Sequence, residues 1–235
     1  METAFVAGAT GYTGREVVRL LRARGVRTLA HVRPDSPRRA ERVARLEQLG
    51  AEVDGTPWDT AALAARLRAL SPSVVLALLG TTRARGREAS RRGAVETYET
   101  VDYGLTRRLL DATLASGARP RFVYLSAAGV REGTANAYLA ARARLERELH
   151  ESGLPFTIAR PSFVSGPDRE EPRRLERAAA IASDAALAVA ARLGARGTAA
   201  RWRSMTATEL ASGLVRAAFD RAAEGRVLDA AALRG

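Results

Sequence analysis

The feature that most constrains the fold of this chain is a glycine-rich turn near its N-terminus. The run Gly8-Ala9-Thr10-Gly11-Tyr12-Thr13-Gly14 separates an apolar stretch, Thr3 to Ala7, from a segment, Gly14 to Arg24, whose apolar residues have helical spacing. The pattern predicts a strand, a tight turn and a helix. Gly8 would permit the turn, and Gly14 would let the helix pack closely on the strand. Gly11 would let a phosphate group approach the backbone at the positive end of the helix.

Strand and helix patterns alternate along the following residues. Strands are predicted at residues 26–32, 51–53, 73–79, 121–125 and 156–160, and helices from Ser36-Pro37 to 49, from Asp59 or Thr60 to 70, at 96–116 and from Asn136 to 152. Ser36 and Asn136 are the expected N-caps of their helices. Alternating strands and helices predict a doubly wound α/β fold, in which helices cover both faces of a parallel sheet.

The alternation weakens after Pro161. Residues 173–192 have a helical, alanine-rich pattern, and a second helix is expected from Thr206 to about residue 222, with Thr206 and Glu209 forming a capping box. A short strand is predicted at residues 227–228. We expect residues 1–235 to form a single domain. Residues 1–160 would be its core, and residues 161–235 a small lobe that faces the substrate over the C-terminal edge of the sheet.

The composition excludes several classes of protein. The net charge is +12, but all 38 basic residues are arginines spread among glutamates, which indicates a coding bias and disfavours nucleic-acid binding. The absence of cysteine excludes disulfides and thiolate sites and is typical of a cytoplasmic protein. Neither a signal-peptide pattern nor an apolar run of ~20 residues is present, so we expect no membrane association. The two histidines lie far apart, which disfavours a metal site.

The position of the glycine turn, at the first crossing from strand to helix, predicts a dinucleotide-binding site. The residue after the second strand selects the cofactor, because a carboxylate there binds the ribose 2′-hydroxyl of NAD and an arginine accepts the 2′-phosphate of NADP. Arg33 follows this strand directly, and Arg38 and Arg39 could add positive charge. Asp35 is the competing signal for NAD. We therefore predict NADP(H) in preference to NAD(H).

Several short segments carry a resemblance to a known family. They are the glycine turn, Leu79-Gly80-Thr81-Thr82-Arg83, Val101-Asp102-Tyr103, Tyr124-Leu125-Ser126-Ala127-Ala128-Gly129 and Arg160-Pro161-Ser162. Together they resemble the Tat-interacting-protein-like group of atypical short-chain dehydrogenases, over about residues 3–170. The resemblance implies an NADPH-binding Rossmann protein. It also implies that Thr10, Tyr12 and Thr13 contact the cofactor together with the three glycines of the turn.

The resemblance further implies a catalytic set of Ser126, Tyr138 and Arg142. Ser126 would position the substrate oxygen and Tyr138 would act as the acid or base. The family pattern is Y-x-x-x-K, and this chain has Arg142 in place of the lysine. Tyr138 and Arg142 would also contact the cofactor. Arginine keeps the positive charge beside Tyr138 and can donate to the ribose hydroxyls, but it is longer, planar and differently hydrated.

The remaining family-derived positions concern the cofactor. Leu79, Gly80, Thr81 and Thr82 would touch its ribose or nicotinamide, and Pro161, Ser162 and Phe163 its carboxamide. Thr56 or Asp59, taken as ending the third strand, would lie near the adenine, although Asp59 could equally cap the following helix.

The sequence therefore predicts an NADP(H)-dependent oxidoreductase that acts on a carbonyl or alcohol of a small molecule. Arg142 keeps open a second reading, a non-catalytic NADP(H) sensor. An isomerase or epimerase with tightly held cofactor is a third reading, disfavoured by the short C-terminal part. The missing G-x-S-x-G elbow and Walker lysine exclude the corresponding hydrolases and NTPases. The sequence leaves open the substrate and the oligomeric state, a homodimer included.

Overall fold

In the part of the chain that the structure describes, seven strands form one parallel sheet. The computed structural model describes residues 2–81, 86, 89–91, 93, 96–164 and 202–235. The strands are β1 (Thr3–Ala7), β2 (Arg27–His31), β3 (Glu52–Asp54), β4 (Val74–Ala77), β5 (Arg121–Leu125), β6 (Phe156–Arg160) and β7 (Arg226–Asp229). Their order in the sheet is β3-β2-β1-β4-β5-β6-β7. The strand order reverses between β1 and β4, and open α/β sheets bind ligands at such a switch point.

Helices cover both faces of the sheet, which confirms the doubly wound α/β prediction. On one face lie α1 (Tyr12–Ala23), α2 (Arg39–Gln48), α6 (Ala207–Phe219) and α7 (Ala230–Arg234). On the other lie α3 (Thr60–Leu70), a π-helix (Tyr98–Leu105), α4 (Thr106–Ser116) and α5 (Ala137–Glu151). A short 3₁₀ helix spans Arg221–Ala223. Among the described residues no helix is long and apolar enough to cross a membrane.

The five strands β1, β2, β4, β5 and β6 each contribute alternate residues to two hydrophobic cores. On β1, Ala4 and Val6 face the core under α1 and α6, whereas Phe5 and Ala7 face the core under α3, α4 and α5. All four side chains are fully buried. A central parallel strand covered on both faces needs such a continuous apolar run, so the N-terminal pattern fixes β1 in the middle of the sheet.

The predicted start of the second helix is wrong. Ser36 does not cap α2, which begins at Arg39 after Arg38 in a left-handed conformation. The Ser36 N–H donates to the carbonyl of Arg33 (3.1 Å) and so closes a turn at the end of β2. The Ser36 hydroxyl accepts a hydrogen bond from the Arg42 guanidinium (2.8 Å). The turn takes up the residues that the sequence pattern assigned to the helix.

Two further boundaries differ from the sequence prediction. β3 ends at Asp54, so Thr56 and Asp59 lie beyond the strand, and the Asp59 carboxylate caps α3 by accepting from the Ala62 N–H (2.8 Å). The single helix predicted at 96–116 is a π-helix followed by α4. A π-helix has more residues per turn than an α-helix, so a uniform helical reading misplaces its buried face.

The described part of the C-terminal region belongs to the sheet and its helices. β7 pairs with β6, and α6 packs on α1. The Thr206–Glu209 capping box is confirmed, with the Glu209 N–H donating to the Thr206 hydroxyl at 3.1 Å. The predicted helix at 173–192 lies outside the described residues, so the substrate-facing lobe stays a prediction.

Candidate functional site

A cleft of about 440 Å³ opens at the C-terminal ends of the central strands. The turns after β1, β4, β5 and β6 form most of its wall, and α5 contributes two side chains. The lining residues are Thr10, Gly11, Tyr12, Thr13, Gly14, Arg15, Leu78, Leu79, Gly80, Thr81, Leu125, Ser126, Ala127, Ala128, Tyr138, Arg142, Pro161, Ser162, Phe163, Val164, Trp202 and Leu210. The cleft therefore lies at the topological switch point and collects most of the predicted site residues.

The glycine turn is built so that side chains are excluded at two positions. Gly8 has φ +85°, and a Cβ there would lie 2.5 Å from the Leu78 carbonyl oxygen. A Cβ on Gly14 would lie 2.1 Å from the Gly8 carbonyl oxygen. Gly11 is the N-cap of α1 and contributes no capping side chain. The glycine turn and the first turn of α1 border the cleft, and the N-terminus of a helix suits a pyrophosphate group.

The turn after β4 is held from below by a buried carboxylate. The Thr81 N–H donates to Oδ2 of Asp102 (2.9 Å), and a Cβ on Gly80 would lie 3.3 Å from Nη2 of Arg142. The Thr81 hydroxyl is buried and has no hydrogen-bond partner among the residues that the structure describes. A ribose hydroxyl in the cleft would satisfy it. Thr82 lies outside the described residues.

Arg142 and Asp102 form a buried ion pair that the sequence did not suggest. Nη2 of Arg142 lies 2.7 Å from Oδ1 of Asp102, and the two side chains are 6% and 0% exposed. Nη1 of Arg142 donates to the Leu125 carbonyl. Burial raises the pKa of the Asp102 carboxyl, and the Arg142 guanidinium and the Thr81 N–H oppose that rise. Both carboxylate oxygens accept from donors, so we assign the ionised pair.

Tyr138 lies one helical turn before Arg142 on α5. The Arg142 guanidinium carbon lies 4.6 Å from the centre of the Tyr138 ring. Tyr98, on the π-helix, packs edge-on against the same ring at 5.2 Å. The tyrosine is therefore oriented on two sides, while it remains partly exposed to the cleft.

A second tyrosine lies beneath the cleft but is closed off from it. Tyr124 on β5 is fully buried, and its hydroxyl lacks a partner within the described part of the chain. Burial raises the pKa of Tyr124, which keeps its phenol protonated. Tyr138, unlike Tyr124, lines the cleft and can meet a ligand there.

The Ser126 hydroxyl is engaged by a buried carboxylate. Ser126 donates to Oε1 of Glu146, one turn after Arg142 on α5. Nε of Arg160 also donates to that oxygen (3.0 Å), and the Glu146 side chain is 5% exposed. While the Ser126 hydroxyl donates to Glu146, it can only accept a hydrogen bond from a ligand. It donates to a ligand only when its hydroxyl rotates away from Glu146.

The turn after β6 closes the far side of the cleft. The Ala128 N–H donates to the Pro161 carbonyl (2.9 Å), and the Ser162 hydroxyl donates to the carbonyl of Arg203. Phe163 is 67% exposed at the rim. Backbone groups and an aromatic ring are what this turn offers to a ligand.

Three of the predicted cofactor residues do not line the cleft. Gly8 lies beneath the cleft, against the backbone of Leu78 and Leu79 in the turn after β4. Asp59 caps α3. Arg33 follows β2 and carries an ion pair with Glu96 (3.1 Å) and a longer one with Asp35 (3.5 Å).

Sequence reasoning missed the buried acidic residues of the site. Asp102 lies in a segment that the resemblance marks without a role for the carboxylate, and no motif marks Glu146. One signal was present, because residues 138, 142 and 146 repeat every four positions and so share one face of α5. The partners of that face, Asp102 and Arg160, lie on other elements and give no such signal.

A comparison with protein-family models identifies the family of this chain. A family model described as NAD(P)H-binding matches residues 8–217. The chain belongs to this NAD(P)H-binding family. The matched range includes the glycine turn and all the residues that line the cleft. No curated protein matches the chain.

Solved structures share the fold at low sequence identity. A putative NAD-dependent epimerase/dehydratase from Bacillus halodurans is 18% identical with a TM-score of 0.67, covering 100% of this chain and 99% of that one. A UDP-glucose 4-epimerase from Brucella ovis in complex with NAD is 17% identical with a TM-score of 0.64, over 93% and 73% of the two chains. The leucoanthocyanidin reductase–NADPH complex from Vitis vinifera is 23% identical with a TM-score of 0.51, over 69% and 50%.

Proposed function

We propose that this protein is an NADP(H)-dependent oxidoreductase of the atypical short-chain dehydrogenase type, within the Tat-interacting-protein-like group. It acts on a carbonyl or alcohol of a small molecule in the cytoplasm. The observation that carries the proposal is the meeting of Ser126, Tyr138 and Arg142 in the same cleft as the glycine turn.

The cleft fits a dinucleotide at its two ends. The glycine turn and the first turn of α1 would hold the pyrophosphate, and the unpartnered Thr81 hydroxyl would bind the nicotinamide ribose. Arg33 would bind the 2′-phosphate of NADP from the end of β2. When bound, the nicotinamide supplies or accepts a hydride.

Tyr138 is the group that exchanges a proton with the substrate oxygen. It is exposed to the cleft, and a tyrosine hydroxyl within reach of the substrate oxygen can serve as general acid or base. Ser126 accepts a hydrogen bond from a substrate hydroxyl as it stands, and it donates to a carbonyl after rotation away from Glu146.

Arg142 acts mainly through its buried contacts. Its bonds to Asp102 and Leu125 fix the guanidinium beneath Tyr138, and the carboxylate offsets part of its charge. A lysine would present a compact charge with three rotatable donors and no planar fork. Arg142 is therefore a positioning residue for Tyr138 and for the Thr81 turn.

The test combines cofactor binding with turnover. NADPH binding is measured by fluorescence, and oxidation of NADPH is followed with a panel of aldehydes, ketones and quinones. We expect turnover of at least one compound and a loss of about 10²-fold or more in kcat for Tyr138→Phe. Tyr98→Phe is the matched control, since it removes a neighbouring hydroxyl and leaves kcat within about threefold.

Two outcomes contradict the mechanism in different ways. Equal residual rates in Tyr138→Phe and wild type remove Tyr138 as the acid or base. Tight NADPH binding with no turnover of any compound favours the sensor, a reading supported by the Asp102 carboxylate that offsets the Arg142 charge.

A further inference from the structure

The ion pair of Arg33 with Glu96 lies at the point where a dinucleotide's adenosine ribose would meet the protein. β1 and β2 are parallel, with Val6 opposite Ala30. Arg33 follows Ala30 by three residues, as Ala9 in the glycine turn follows Val6. Arg33 and the glycine turn consequently lie at the same edge of neighbouring strands.

Arg33 does not stand at this edge as an isolated cation. Its Nη2 donates to Oε1 of Glu96 at 3.1 Å, and its Nε lies 3.5 Å from Oδ1 of Asp35. The side chains of Arg33 and Glu96 are 31% and 23% exposed, whereas Asp35 is 78% exposed. Glu96 is thus the closer and less solvated of the two carboxylates.

The Glu96 carboxylate has different consequences for the binding of NADP and of NAD. A 2′-phosphate that binds Arg33 must displace Glu96 or share the guanidinium with it, and the two anions repel each other. The 2′-hydroxyl of NAD can instead donate to a carboxylate, which is the usual NAD contact at this position. Glu96 lies 63 residues after Arg33 in the sequence. It places such a carboxylate beside the arginine.

We propose that Glu96 is a specificity-determining residue that competes with the 2′-phosphate for Arg33 and so narrows the preference for NADP(H) over NAD(H). The proposal rests on the dinucleotide binding proposed above. Glu96 would thus take part in recognition of the ribose and its phosphate through Arg33. Asp35 would reduce the preference for NADP(H) in the same way, but more weakly.

The experiment measures the dissociation constants of NADPH and NADH by fluorescence titration of the full chain. We expect Glu96→Gln to raise the ratio Kd(NADH)/Kd(NADPH) about three- to tenfold, and Arg33→Gln to lower it. Glu99→Gln is the matched control: it removes one negative charge three residues away, from a side chain that is 63% exposed and paired with Arg144. It leaves the ratio unchanged.

The double variant Arg33→Gln/Glu96→Gln tests whether Glu96 acts through Arg33. In that background the effect of Glu96→Gln on the ratio should be smaller, because no guanidinium is left for which the carboxylate and the phosphate compete. A ratio within twofold of wild type for Glu96→Gln overturns the proposal, and so does an undiminished effect in the double variant. If wild type binds neither cofactor, the proposed function fails as well, whereas binding of both with an unaltered ratio overturns the Glu96 assignment alone.

Discussion

Replacing Asp102 by alanine tests the buried centre of the site. The change leaves the Arg142 charge buried without its counter-ion and the Thr81 N–H without its acceptor. Removing one partner of a buried, hydrogen-bonded ion pair costs about 3–5 kcal/mol. In a domain of this size 1 kcal/mol corresponds to roughly 2–4 °C in Tm, so the expected decrease is roughly 6–20 °C.

The control is the exposed pair of Asp111 and Arg107 on α4. These charges lie 2.9 Å apart, but their side chains are 37% and 39% exposed. Solvent screens such a pair, and Asp111→Ala should cost no more than about 1 kcal/mol. Thermal and urea unfolding, followed by circular dichroism, measure both variants under identical conditions.

A double variant separates loss of the pair from loss of packing. Asp102→Leu/Arg142→Met removes both charges and keeps apolar volume, so it should be less destabilised than Asp102→Ala. The reasoning is refuted if Asp102→Ala costs no more than Asp111→Ala, or if the double variant is the least stable of the three.

Three further predictions follow from single contacts. Gly14→Ala places a Cβ 2.1 Å from the Gly8 carbonyl oxygen, and should cost about 1–3 kcal/mol in urea unfolding and abolish NADPH binding. Burial lowers the pKa of His31 below its ordinary 6.5, so the unfolded chain binds the proton more readily. Stability should therefore fall as the pH drops below 6.5, and His31→Gln should flatten that slope in Tm against pH. Thr206→Ala removes an N-cap and should cost about 1 kcal/mol with NADPH affinity unchanged.

The backbone of the site was predictable because its causes are local. The glycine positions follow from steric limits within a few residues, and the buried strands follow from runs of apolar side chains. The start of α2 was not predictable in the same way, since a turn closed by the Ser36 N–H competes with a serine N-cap. The π-helix could not be predicted from the sequence. Its number of residues per turn differs only slightly from that of an α-helix, and a short segment does not reveal the difference.

The sequence by itself determined the strand–turn–helix unit at Gly8 to Gly14, the parallel sheet and the face of α5 that carries Tyr138 and Arg142. Only the tertiary structure decided what those side chains meet. Asp102 reaches Arg142 from 40 residues away, and Glu96 reaches Arg33 from 63 residues away. Such pairs depend on how distant elements pack, because an isolated charge cannot be buried without a partner and the sequence does not say which partner is near. The glycine turn could therefore be predicted from the sequence. The ion pairs of Arg142 with Asp102 and of Arg33 with Glu96 could be identified only from the tertiary structure.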